Sequence, residues 1–314
     1  MFATILGGLP RPPLPADASP ADLVRAAVRA QEASGLEPMT DGRLRWRSLD
    51  DPFHGEGARP LEAWQAAAAM TTRAVKQALP GPYSVARRQA RGSRGSRGRR
   101  NLALRLAGEI RAEVLALAEA GCPLVEIEES EAHRIGADKA ERALFRDAHL
   151  ALTDGIVGTH LSLAIIGPSA DAAGIETILA APYSSLAVDL VNGPGNWRLA
   201  VVAPAERGIV AGAMAAAPDG DESQELLLFA ARYAASTRGR GLARVGLAVV
   251  PGLESLPWPV AIRKLERLAR AARIAALPPG HELADAIDPR AIDIRSAALG
   301  RPSSSVPRPK RRPR

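Results

Sequence analysis

Short apolar runs alternate with longer amphipathic stretches along most of this 314-residue chain, and that alternation restricts the fold more than any other feature. Eight runs read as strands: FATILG (2–7), LEPMTD (36–41), AVKQALPG (74–81), PLVEIE (123–128), THLSLAII (159–166), SLAVDLV (185–191), GIVAGAMA (208–215) and ARVGLAVV (243–250). Each is short, β-rich and mostly closed by a Gly, Pro or polar turn. The intervening stretches have helical spacing, as in SPADLVRAAVRAQEASG (19–35), where Ser19 before Pro20 reads as a cap and Gly35 as a stop. Stops of the same kind stand at Gly121 and Gly155. Eight strand–helix repeats predict an α/β fold, a (β/α)8 TIM barrel, over 1–276.

Charge is distributed unevenly over this frame. RRQARGSRGSRGRR (87–100) and RPSSSVPRPKRRPR (301–314) hold thirteen of the 41 basic residues and no acid, leaving 28 basic against 34 acidic residues elsewhere. They predict a flexible basic insertion at about 87–100 and a low-structure Pro/Arg-rich tail at 277–314. Such segments are either solvated loops or contacts for nucleic acid or another acidic partner through counterion release. No aromatic is interleaved to stack on bases.

No apolar run approaches membrane-spanning length, so no membrane partner is expected, and MFATILGG lacks the basic lead of a secretory signal. A cytoplasmic location is the expectation. The single cysteine, Cys122, excludes an intramolecular disulfide framework and any zinc site needing two cysteines from this chain.

Ordered along the strands is a set of motifs that resembles the catalytic barrel of cobalamin-independent methionine synthase. ILGGLPRP (5–12) looks like that family's IGSFPR opening, and LEPMTDGRLR (36–45) like its strand ending in TDGE. LPGPYS (79–84) is similar to its LTGPVT turn, and AGCPLVEIEES (120–130) to its AGC run ending IQIDEP. GTHLS (158–162) resembles its TH-x-C zinc motif, and LAVDLVNGPGNW (186–197) the strand supplying an acidic ligand. The resemblance covers roughly residues 2–275.

It implies methyl transfer from 5-methyltetrahydrofolate to the homocysteine thiol, held as thiolate on zinc. Carried over residue by residue, it places substrate-binding groups at Gly8, Arg43, Glu128 and Glu129, and a remnant metal pair at His160 and Asp189. The family's soft ligands are replaced: Ser162 stands for one cysteine, and no cysteine stands near Pro251 for the other. Arg43 replaces a glutamate, reversing the charge that faces an amino-acid ammonium.

A divergent methionine synthase-like protein with altered or lost activity is therefore the expectation, a methyltransferase if catalysis persists, with zinc disfavoured and no other cofactor indicated. The alternatives are a barrel that binds a small polar or folate-like molecule without catalysis, and an interaction protein acting through its basic segments. Read from the residues alone, His160 and Ser162 share one strand face, Glu126 and Glu128 share another, and Arg43 with Glu128 is equally an internal ion pair.

Overall fold

The computed structural model describes residues 1–55, 58–89, 96–218, 222–278 and 280. Chain order runs β1 (Phe2–Ile5), α1 (Pro20–Ser34), α2 (Pro60–Ala68), β2 (Lys76–Pro80), α3 (Pro82–Gln89), α4 (Ser96–Glu119), β3 (Leu124–Glu129) and α5 (Lys139–Thr153). It continues through β4 (His160–Ile165), α6 (Ile175–Ile178), β5 (Ser185–Asp189), α7 (Trp197–Val202), β6 (Gly208–Met214), α8 (Gln224–Ser236), β7 (Val245–Val249) and α9 (Trp258–Ala276).

The strands form one parallel sheet in the order β1-β7-β6-β5-β4-β3-β2. Residues 36–41 span its two edges: Glu37 N donates to Ala3 O (3.0 Å), and Met39 N donates to Ala74 O (2.9 Å). This segment takes the place of the second stave, so the α/β TIM-barrel expectation stands, with one correction. LEPMTD is not a strand, because Pro38 has no N–H to donate and interrupts the ladder, leaving two isolated bridges.

Alternation along each strand sorts side chains to two sides. Val125 and Ile127 of β3, Leu161, Leu163 and Ile165 of β4, and Leu186 and Val188 of β5 face outward into one core with helix residues such as Val28, Ile110, Phe145 and Leu268. Each such buried side chain contributes roughly 1.5–3 kcal/mol, which holds the helices on the sheet. A second, smaller cluster of Leu6, Ala164, Ala187, Val210 and Ala248 fills the barrel interior.

Helix ends follow the sequence signals. Ser19 Oγ accepts from Asp22 N at 3.2 Å at the start of α1, and Gly35 closes that helix at φ 86°. Asp138 Oδ1 accepts from Ala140 N (2.7 Å) and Glu141 N (3.2 Å) at the start of α5.

The basic stretch expected at 87–100 lies only partly within the described residues. Residues 87–89 end α3, residues 96–100 open α4, and 90–95 lie outside the described residues. Arg87 and Arg99 both donate to Glu141 (2.9 and 2.7 Å), and Arg100 donates to Asp147 (2.7 Å). Each of these three charges has an acidic partner within the chain. The tail expected at 277–314 lies, apart from 277, 278 and 280, outside the described residues. No described helix is long and apolar enough to cross a membrane.

Candidate functional site at the barrel mouth

The carboxyl ends of the strands, where barrel enzymes place their chemistry, open into a cavity of about 340 Å³. Gly8, Arg11, Arg43, Trp46, Arg47 and Glu254 are among its lining residues. The turn after residues 36–41 builds its floor. Asp41 Oδ1 accepts from Arg43 N at 2.9 Å, and this Asx turn carries Arg43 at a left-handed φ of 56°.

From there the Arg43 guanidinium reaches Glu128, whose side chain is only 2% exposed, and the two form an ion pair. Gly8 makes the crossing available: a Cβ there would stand 3.2 Å from Gly42 O and 3.3 Å from Arg43 Cβ. Thus Gly8, Arg43 and Glu128 come together as expected, and the pairing is the internal one that the sequence also allowed.

Asp41 itself is buried, and its Oδ2 has no hydrogen-bond partner among the described residues. Burial raises its pKa above the ordinary carboxylate value, against the opposing pull of the Arg43 amide and the Arg43 and Arg45 charges. The loop beyond is strapped down by Arg88 of α3, which grips Asp50 through two nitrogens (2.7 to 3.1 Å) and donates to Ser130 Oγ at 2.7 Å. Trp46 is fixed by its Nε1–H to Ala58 O at 3.0 Å.

Glu129 is not at the mouth. Adjacent strand residues face opposite sides, and Glu129 points outward, fully buried, to the start of α3. Its carboxylate accepts from Tyr83 N (3.1 Å), Ser84 N (2.8 Å), the Ser84 hydroxyl and His149 Nε2 (2.9 Å). Because a carboxylate only accepts, His149 donates through Nε2 and its Nδ1 accepts a hydrogen bond from the Tyr183 hydroxyl, 2.6 Å away. Burial, together with the Glu129 charge, raises the Tyr183 pKa well above its usual value and keeps that proton on oxygen.

His160 and Asp189 are likewise separated. His160 is the first residue of β4, is exposed, and shares a hydrogen bond of 2.8 Å with Ser185 Oγ. Asp189 is the last residue of β5, beyond the level where Val188 pairs with Ile165. At about 3.3 Å per strand residue the two lie on the order of 20 Å apart along the barrel. Both Asp189 oxygens are engaged: Oδ1 accepts from Val191 N (3.0 Å) and Asn192 N (2.8 Å), and Oδ2 from Gly167 N (3.0 Å) and Asn192 Nδ2 (2.8 Å). Ser162 faces the other end of the barrel, and the buried Cys122 donates to Leu124 O at 3.3 Å. These residues do not fit a thiolate–zinc centre, and among the described residues no three of His, Cys, Asp or Glu group to hold a metal.

Two features of the interior escaped the sequence reading. Arg11, Arg47 and Glu254 reach the mouth from loops whose course no periodicity reports. Lys76 is buried in β2 and donates to Glu126 Oε1 (2.7 Å) and Ile5 O (2.8 Å). Opposite charges inside two neighbouring strand-like runs were the available signal for that pair.

No protein-family model and no curated protein sequence matches the chain. Among solved structures, a B12-independent methionine synthase from Shewanella sp. W3-18-1, in complex with selenomethionine, is similar with a TM-score of 0.71 and 16% identity, covering 87% of this chain and 96% of that one. A methyltransferase from Methanosarcina mazei gives a TM-score of 0.51 at 14% identity, covering 72% of this chain and 67% of that one. At such identities the similarity is one of architecture, and this protein has the TIM-barrel fold of a B12-independent methionine synthase.

Proposed function

We propose that the barrel mouth binds a small carboxylate-bearing molecule and that the protein works without the zinc-thiolate methyl transfer implied by its resemblance. One observation carries the reading: Arg11, Arg43 and Arg47 line the mouth against Glu254, and Arg43 already neutralises Glu128. Neither Arg11 nor Arg47 forms an ion pair among the described residues; Arg11 donates through one nitrogen to Pro15 O and Ala16 O (3.3 Å each), which leaves its other donors and the Arg47 guanidinium for an anion. Guanidinium suits a carboxylate because its fork of N–H donors matches the two oxygens. Leu9, Leu44 and Trp46 supply apolar wall for the rest of the molecule.

The selenomethionine in the Shewanella enzyme is an amino acid, which supports the same ligand class. Methyl transfer on zinc is less well supported, since His160, Ser162 and Asp189 occupy different ends of the barrel or are fully hydrogen-bonded. Action through the stretch at 87–100 is also less well supported, because Arg87, Arg88, Arg99 and Arg100 each pair with an acid of the same chain.

A thermal-shift series tests the reading with 5-methyltetrahydrofolate, L-glutamate, L-methionine and L-methioninamide. A ligand that binds the native state alone raises the melting temperature according to its affinity. At least one carboxylate should stabilise the protein, with methioninamide inert. Equal stabilisation by methionine and its amide would remove the carboxylate from the account.

A further inference from the structure

The amino ends of the strands hold a second cavity, of about 510 Å³, that shares no lining residue with the mouth. A barrel of this type is ordinarily filled by layers of side chains. Here the middle layer is filled, by Leu6, Ala164, Ala187, Val210 and Ala248, while the layer below is hollow. The reason is in the side chains: apart from Lys76 and Glu126, paired on one wall, the positions facing inward there include Thr4, Ser162, Ser185 and Gly208, which are too small to meet across the lumen. Phe2 occupies the space over Gly246, where a Cβ would stand 2.3 Å from its ring.

The wall of this cavity is built rather than accidental. Phe2, Leu124, Ile209 and Val210 form an apolar lining. Against it stand Lys76 and Glu126, with side chains 1% and 2% exposed and paired at 2.7 Å. Beside Glu126 in register lies Ser162, 1% exposed, whose hydroxyl has no hydrogen-bond partner among the described residues. A buried unpaired hydroxyl costs about 1–3 kcal/mol, a cost that a bound partner removes. Lys76 spends two of its three N–H donors, on Ile5 O and Glu126 Oε1, so a donor also remains on the inner wall.

From this we infer that the lower cavity is a second ligand site, for an uncharged molecule with an apolar body and one hydroxyl or amide head. Charge selects the class: Lys76 and Glu126 neutralise each other on the inner wall, so a ligand with net charge would enter there without a counter-ion. An amide or hydroxyl both donates and accepts, which is what Ser162 and Lys76 together leave open. The volume falls within the roughly 300–1,000 Å³ of small-molecule pockets. His160 and Ser185, hydrogen-bonded to each other, stand among its lining residues with Glu206 and Arg244.

Benzamide and benzyl alcohol are the probes, used on the full chain by titration calorimetry and crystal soaking. The expected result is 1:1 binding with density beside Ser162, a roughly fivefold loss on Ser162→Ala for the one hydrogen bond removed, and abolition on Ser162→Leu. Stability supplies a second readout that does not need the ligand: Ser162→Ala should leave the unliganded protein as stable as wild type or more so. Failure of both probes to bind, ordered water alone in the cavity, or binding that survives Ser162→Leu and disappears on Arg47→Ala would overturn the inference. So would a marked destabilisation by Ser162→Ala. Because the mouth is tested with carboxylates and this site with neutral probes, either can fail without the other.

Discussion

Replacing Glu129 by alanine separates a structural carboxylate from a substrate-binding one. In the structure it anchors the first turn of α3 from behind, accepting two peptide N–H groups, the Ser84 hydroxyl and the His149 ring. Removing it leaves the Tyr83 and Ser84 amides without that acceptor in a buried region, where an unsatisfied donor costs about 1–3 kcal/mol. It also strips His149 of the group that fixes its tautomer. Alanine cannot refill the space, so the summed loss should be about 3–5 kcal/mol, a large share of the 5–15 kcal/mol typical of a domain. Glutamine keeps the shape and one acceptor oxygen, and should lose about half as much. Urea unfolding followed by circular dichroism measures both, with constant slope as the check that only stability has changed. An alanine variant within about 0.5 kcal/mol of wild type that has lost carboxylate binding would refute the structural assignment and return Glu129 to the mouth, since surface-like substitutions stay within that range.

Further outcomes follow from the interior and from the replaced ligands. Lys76→Met strands Glu126 in the barrel and should cost about 3–5 kcal/mol, while Lys76→Met with Glu126→Leu should recover most of it; urea midpoints of the four proteins give the coupling directly. Cys122 should resist iodoacetamide in the native state at pH 8 and react on unfolding, because burial pushes its thiol from 9.0 up to about 12. For the same reason this thiol contributes a loss of stability as pH rises from about 9 to 12, where the unfolded chain releases the proton and the folded one keeps it. Protein stripped with a chelator and reloaded with zinc should hold well below one ion per chain by elemental analysis, and one tightly held zinc per chain would contradict the reading of His160 and Asp189.

Much of the barrel was legible because strand parity and helix spacing are local. Seven of the eight expected strands form, and Ser19, Pro20 and Gly35 bound the first helix as their chemistry requires. The eighth run failed on one residue, Pro38, whose missing N–H outweighs the apolar pattern around it. The site was harder to read, since period two gives the face of a side chain but not its depth in the barrel. His160 and Ser162 do share an inward face, yet β4 begins at His160 and runs on to Ile165, so the motif resembling TH-x-C sits at the strand entry. The apolar LAII that follows Ser162 was the sign that the strand had further to go. Glu128 and Glu129 show the same limit from the other side: parity alone sends them to opposite faces, whereas the resemblance grouped them.

Calorimetric titration of L-glutamate and 5-methyltetrahydrofolate into wild type and Arg47→Ala tests the carboxylate-binding mouth most directly. The expected result is one site per chain for at least one of the two, an affinity that falls with added salt, and a loss of about tenfold or more on Arg47→Ala, in line with the roughly 1.5–3 kcal/mol of a charge-assisted hydrogen bond. Binding of neither compound, or binding that is indifferent to salt and to Arg47, would contradict it.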